Sequence, residues 1–89
     1  MKVEYVKRVK KFLEDIDETT SYRLQYAIEN KLALDPDKYA LPLRGLFKGF
    51  YKFRIGDYRA IFSINGNTIL LVVLIAQRKN VYDKFKSLF

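Results

Sequence analysis

Three cationic side chains, Lys52, Arg54 and Arg59, fall where a single β-ribbon would gather them. Residues 51 to 55 alternate apolar and basic as Tyr51, Lys52, Phe53, Arg54 and Ile55, the period of a strand with one buried face. Gly56-Asp57 follows, with glycine first as a type II′ hairpin turn requires, and the chain returns as Tyr58-Arg59-Ala60-Ile61-Phe62. Register then follows by counting: Ile55 faces Tyr58, Arg54 faces Arg59, Phe53 faces Ala60 and Lys52 faces Ile61. One face carries Tyr51, Phe53, Ile55, Tyr58, Ala60 and Phe62. The other carries Lys52, Arg54 and Arg59, with Ile61 its one apolar member.

Like charges set directly opposite on a hairpin are destabilising. An anionic ligand would offset that repulsion, because guanidinium is planar, always charged and matched to phosphate. Arg78 closes the next apolar run, and Tyr82 comes four residues later, where the last helix is expected to begin. Such a set suits a phosphodiester. Arginines can hold the bridging phosphate and stabilise the charge that grows on it, while a lysine or a tyrosine can carry protons. RNA supplies its own nucleophile, the 2′-hydroxyl, so no metal is required. Plainer roles stay open for the same residues: Lys52 as a solvated strand lysine, Arg54 and Arg59 as backbone contacts without catalysis, Tyr82 as a packing residue.

Composition narrows the field. The chain has 89 residues, enough for one domain spanning 1–89 and a modest core. With 49% hydrophobic and 16% aromatic residues it should fold. It contains neither cysteine nor histidine, which removes disulfides, the usual zinc ligands and the usual general base. The expectation is a protein without cofactor or metal. Residues 1–43 carry eight basic and eight acidic side chains, whereas residues 44–89 carry nine basic and two acidic, so the whole net charge of +7 sits in the second half. The two acids there, Asp57 and Asp83, are too few for a two-metal nuclease. A polyanion is the natural partner: nucleic acid first, an acidic protein segment second, a membrane surface a distant third. The longest apolar run, Ile69–Ala76, is too short to span a bilayer. The first residues show no signal-peptide pattern, so a cytoplasmic location is expected.

The elements that must position these residues read as follows. Met1–Tyr5 suits a short opening strand. Val6, Val9, Phe12, Leu13 and Ile16 fall at helical spacing. A break at Asp17–Ser21 offers Thr19 or Thr20 as helix caps. A second helix to about Leu34 carries Leu24, Ala27, Ile28 and Leu32, with Tyr22 and Tyr26, like Tyr5, expected to pack. Asp35–Leu43 reads as a loop with two prolines, Pro36 and Pro42. After the first hairpin, Asn65-Gly66 signals a second, and Ile69–Ala76 reads as a central strand covered on both faces. Val81–Phe89 can form a final short helix. The order is β-α-α-β-β-β-α: an α+β design in which an antiparallel meander carries an N-terminal helical hairpin on one face and a short C-terminal helix.

The segments Leu43-Arg44-Gly45, Tyr51-Lys52-Phe53-Arg54, Gly56-Asp57-Tyr58-Arg59-Ala60-Ile61-Phe62 and Gln77-Arg78-Lys79-Asn80-Val81-Tyr82 resemble the RelE branch of the RelE/ParE toxin superfamily. The resemblance covers nearly the whole chain. It implies the toxin of a type II toxin–antitoxin pair, an endoribonuclease that cuts mRNA in the ribosomal A site with basic residues and a tyrosine. It implies an acidic cognate antitoxin covering the basic face or displacing the last helix, a monomeric toxin within that complex, and no role for a membrane. Carried onto this sequence, Lys52, Arg54, Arg59, Arg78 and Tyr82 would be catalytic, and Arg44, Lys48, Lys79 and Lys84 would contact RNA. Arg59 would hold the scissile phosphate, Arg78 would stabilise the leaving group, and Tyr82 would orient or deprotonate the 2′-hydroxyl or stack on a base. Arg54 stands where well-known members carry a lysine, and an arginine does not act as a base. Gln77 stands where several relatives have a histidine. The base would then be Lys52 or Tyr82. The same superfamily also contains ParE-type inhibitors of DNA gyrase, and a non-catalytic RNA-binding domain is a third alternative.

Overall fold

The computed structural model describes residues 1–88. Five strands, β1 (Lys2–Tyr5), β2 (Leu41–Pro42), β3 (Tyr51–Ile55), β4 (Tyr58–Asn65) and β5 (Ile69–Gln77), form one sheet in the order β1-β5-β4-β3-β2. The expected meander is β3-β4-β5, antiparallel throughout. The sheet is nevertheless mixed, because β1 pairs parallel with β5. The two strands lie at opposite ends of the chain, so no tight turn obliges them to run antiparallel. The segment read as a proline loop also holds more structure than expected. A one-turn helix, Pro36–Tyr39, starts on proline at its first position. The short strand β2 follows at the sheet edge, where proline is tolerated.

Helix α1 (Lys7–Asp15) and helix α2 (Glu18–Ala27) make the expected hairpin. Asp17, not Thr19 or Thr20, caps α2: its carboxylate accepts from the Thr20 N–H at 2.9 Å. The helix continues through a wider turn, Ile28–Leu32, closed by an Ala33 N–H to Ile28 C=O bond of 2.9 Å. Val9, Leu13, Leu24, Ile28 and Leu32 pack on Phe53, Ala60, Phe62, Leu70, Val72 and Ile75. Tyr22 and Tyr26 do not join this core. They are exposed and lie ring against ring, 6.0 Å between centroids.

The opposite sheet face is covered too, by the final helix Val81–Lys86, numbered α4 after α3 (Pro36–Tyr39). The last residue of the expected helix, Phe89, lies outside the described residues. Val81 and Phe85 are buried against Leu43, Ile61, Leu74 and Ala76, with Phe47 and Phe50 packed alongside. This explains Ile61, the one apolar residue on an otherwise cationic face: it lies under α4. A bulge between Ile61 and Phe62 makes the arrangement possible. Ile61 pairs with Leu74 but Phe62 with Val72, leaving Val73 as the extra residue. Without that insertion, strict alternation could not send Val72 and Ile75 to the helical hairpin and Leu74 and Ala76 to α4.

Candidate functional site

The register of β3 and β4 is the one counted from the sequence. Lys52 lies opposite Ile61, Arg54 opposite Arg59, and Ile55 opposite Tyr58. Gly56 has φ +58°, the left-handed backbone that the first turn position demands. Lys52 therefore leaves the sheet on the side of Ile61, where α4 packs. Tyr82, the second residue of α4, sits beside the buried anchor Val81, so the packing of Val81 and Phe85 fixes where its ring stands. The two side chains meet. Lys52 Nζ donates to the Tyr82 hydroxyl oxygen at 2.8 Å and lies 5.5 Å from the ring centroid. Tyr82 is not the packing residue its position allowed, because it stays exposed.

A second group gathers at the Gly56-Asp57 turn. Arg59 Nη1 donates to the carbonyls of Gly56 and Tyr58, each at 2.8 Å, so its guanidinium is folded along the turn. The Arg78 N–H donates to the Asp57 carbonyl at 2.7 Å, which ties the end of β5 to the same turn. Arg59 pairs in register with Ala76, two residues before Arg78. That backbone bond sets Arg78 beside the turn. Arg78 and Lys79 line a shallow depression there with Asp57 and Gln77.

The remaining expected residues are dispersed. Arg44 and Lys48 line a separate depression with Phe50 and Tyr51, around a single 3₁₀ turn, Gly45–Phe47. Lys84 is exposed on α4. Arg54 is exposed on β3 and lines a cleft against α2. The sequence reading missed a neighbour in that cleft, Arg23. Its Nη2 lies 3.7 Å from where a Cβ on Gly56 would stand, so it reaches the turn from the helical side. Only part of the signal was present: Arg23 and Tyr26 stand three apart on one helical face. A larger cavity, of about 670 Å³, opens between α1 and α2, but Glu14, Glu18 and Glu29 rim it and would repel an anion. No helix among the described residues is long and apolar enough to cross a membrane.

Fold and charge together describe a small basic α+β domain whose cations border one sheet face and one hairpin turn. The family model for the ParE toxin of the type II toxin–antitoxin system, parDE, matches residues 3–82, so the chain belongs to this family of toxins within the RelE/ParE superfamily. It is similar to Toxin RelE3 of Methanocaldococcus jannaschii, 32% identical over 79 residues that cover 89% of this chain and 75% of the relative. The RelB–RelE antitoxin–toxin complex from Methanococcus jannaschii aligns with a TM-score of 0.66 and 25% identity, covering 89% of this chain and 94% of the other. The RelBE2 toxin–antitoxin complex of Mycobacterium tuberculosis aligns with a TM-score of 0.79, covering 86% and 96%. At 19% identity that likeness shows the fold alone.

Proposed function

We propose that this toxin is a ribosome-dependent endoribonuclease that cleaves mRNA by attack of the 2′-hydroxyl on the adjacent phosphorus. The observation that carries the reading is the Lys52–Tyr82 contact. Two proton-bearing groups from different elements meet on the cationic face, on one exposed spot. The Tyr82 oxygen accepts from Lys52, so the phenolic proton is free to point outward, toward a bound strand. With one proton already lost from the Lys52–Tyr82 pair, the pair takes up the 2′-hydroxyl proton as the new O–P bond forms. The same pair returns that proton to the 5′-oxygen as the old O–P bond breaks, giving a 2′,3′-cyclic phosphate and a 5′-hydroxyl. Arg59 and Arg78, gathered at the turn, stabilise the charge on the phosphate and the leaving oxygen. Arg44, Lys48, Lys79 and Lys84 contact the RNA backbone around this centre.

The partner in the cell is an acidic antitoxin. It neutralises the toxin by covering the basic face or by displacing α4, which spans only Val81–Lys86 and carries Tyr82 with it. The toxin alone is a monomer, acting in the cytoplasm.

A second reading, a ParE-type inhibitor of DNA gyrase, is favoured by the family model. Primer extension on message from induced cells separates the two. Cuts inside codons that vanish with Arg59→Ala or Arg78→Ala support the nuclease. Intact message with inhibited gyrase supports the other.

A further inference from the structure

Away from the Lys52–Tyr82 pair, a cleft of about 380 Å³ separates α2 from the end of β3. Arg23, Lys31 and Arg54 line it, with Tyr26, Tyr39 and Gly56. No carboxylate of the described residues lines it. Among the described residues none of the three cations makes an ion pair, the two such pairs being Lys2–Glu4 and Lys11–Asp15. Arg23 feels the charge of Asp17 across solvent, but not at ion-pair distance. The edge of β3 is open here, because β2 pairs only with Tyr51 and Lys52. Arg54 leaves β3 on the α4 face, and at this uncovered edge it borders the cleft from that side.

Cations converging without a counter-charge repel one another, and an anion in the cleft removes that repulsion. Tyr26 supplies an exposed aromatic face at the same place. A cationic groove with an accessible aromatic ring is the recognition surface of single-stranded nucleic acid, whose bases stack while its phosphates are held. An acidic polypeptide would use the cations but has no use for the ring. We infer that the cleft formed by Arg23, Lys31, Arg54 and Tyr26 binds a backbone phosphate and the neighbouring base of a single-stranded nucleic acid. This deepens the nuclease reading and rests on it for the identity of the strand as RNA. Arg54 then works at this flanking phosphate and Lys52, two residues earlier on the strand, at the scissile one. The bound chain crosses the β3 edge from the α4 side to the α2 side.

The test is binding without cleavage. A fluorescein-labelled single-stranded 2′-deoxy oligonucleotide lacks the attacking hydroxyl, so its anisotropy reports the cleft whether or not the protein is a nuclease. Arg23→Ala/Lys31→Ala is expected to weaken binding about tenfold and to flatten the slope of log K against log salt by about 0.7, the loss of one phosphate contact. Lys7→Ala/Arg8→Ala on α1 removes the same charge elsewhere and should leave the slope unchanged. Lys31→Glu, at an exposed position, should weaken binding on its own and guards against a folding defect in the double variant. Three outcomes overturn the inference: no binding by the wild type, equal losses from the two double variants, or intact oligonucleotide binding with loss of polyglutamate binding. The last would assign the cleft to an acidic polypeptide.

Discussion

Lys52 Nζ and the Tyr82 hydroxyl oxygen stand 2.8 Å apart across 30 residues of sequence, one on a sheet and the other on the helix that caps it. Both are held by their neighbours, Lys52 by strand register and Tyr82 by the buried Val81 beside it. Lys52→Met and Tyr82→Phe should each lower message cleavage by about 10²–10⁴-fold, the usual weight of a proton-transfer group. The double variant should be little worse than either single one, the outcome expected of two groups proposed to act as a unit. Both sites are solvent-facing, so urea melts should shift by no more than about 0.5 kcal/mol. Cleavage rates of the four proteins, set beside their melts, check this.

Phe85 couples stability to the site. It is 1% exposed and packs on Phe47 and Phe50 at centroid distances of 4.8 and 5.1 Å. Phe85→Ala should cost about 3–5 kcal/mol in a urea melt, a large share of the stability of a small domain. Because α4 also carries Tyr82, cleavage should fall with it even at temperatures where the sheet remains folded.

Gly56 tests the turn that gathers the arginines. With φ +58° any side chain there is strained, so Gly56→Ala should destabilise by about 1–2 kcal/mol. The Gly56 carbonyl accepts from Arg59, and the neighbouring Asp57 carbonyl holds the Arg78 N–H. Cleavage should therefore drop by more than the loss of folded protein explains. Parallel thermal melts and rate measurements separate the two effects.

The pattern of residues revealed the β3–β4 register, because a two-residue turn leaves counting as the only freedom. It revealed the second core face only as a puzzle, in the form of Ile61 among cations. Alternation assumes an unbroken strand, and the bulge at Val73 lies within a run of apolar residues that all look alike. The parallel pairing of β1 was hidden for a different reason. Nothing local to Lys2–Tyr5 records a partner at Ile69–Val72, and direction across such a separation is decided by packing of the whole sheet. Lys52 and Tyr82 were legible as types but not as a pair, since their contact depends on the docking of α4. Arg23 escaped notice because its charge belongs to the half of the chain where acids and bases cancel. Only the fold brings it against Gly56.

Stability should depend on pH at both ends. Hydrogen bonds from Thr20, backbone first, hold the Asp17 carboxyl below its ordinary value. The contribution of a depressed carboxyl is present above its unfolded pKa of about 3.9 and is lost as pH falls through the folded value. Tyr5 is shifted the other way, first by burial and then by its hydrogen bond to Glu29 at 2.7 Å. Its contribution is present below the unfolded tyrosine value of about 10 and is lost as pH rises above it. Thermal melts should show Asp17→Ala converging on the wild type in acid, and Tyr5→Phe converging on it in alkali.

Cleavage of RNA by this basic face through the strand's own 2′-hydroxyl, as proposed, can be tested directly. Purified protein can be added to ribosomes holding a message with the A-site codon intact, or with a single 2′-deoxy nucleotide placed on the 5′ side of the cleaved bond. The account predicts cleavage of the first message and none of the second at that position. Equal cleavage of both, or no cleavage of either by the folded wild-type protein, would contradict it.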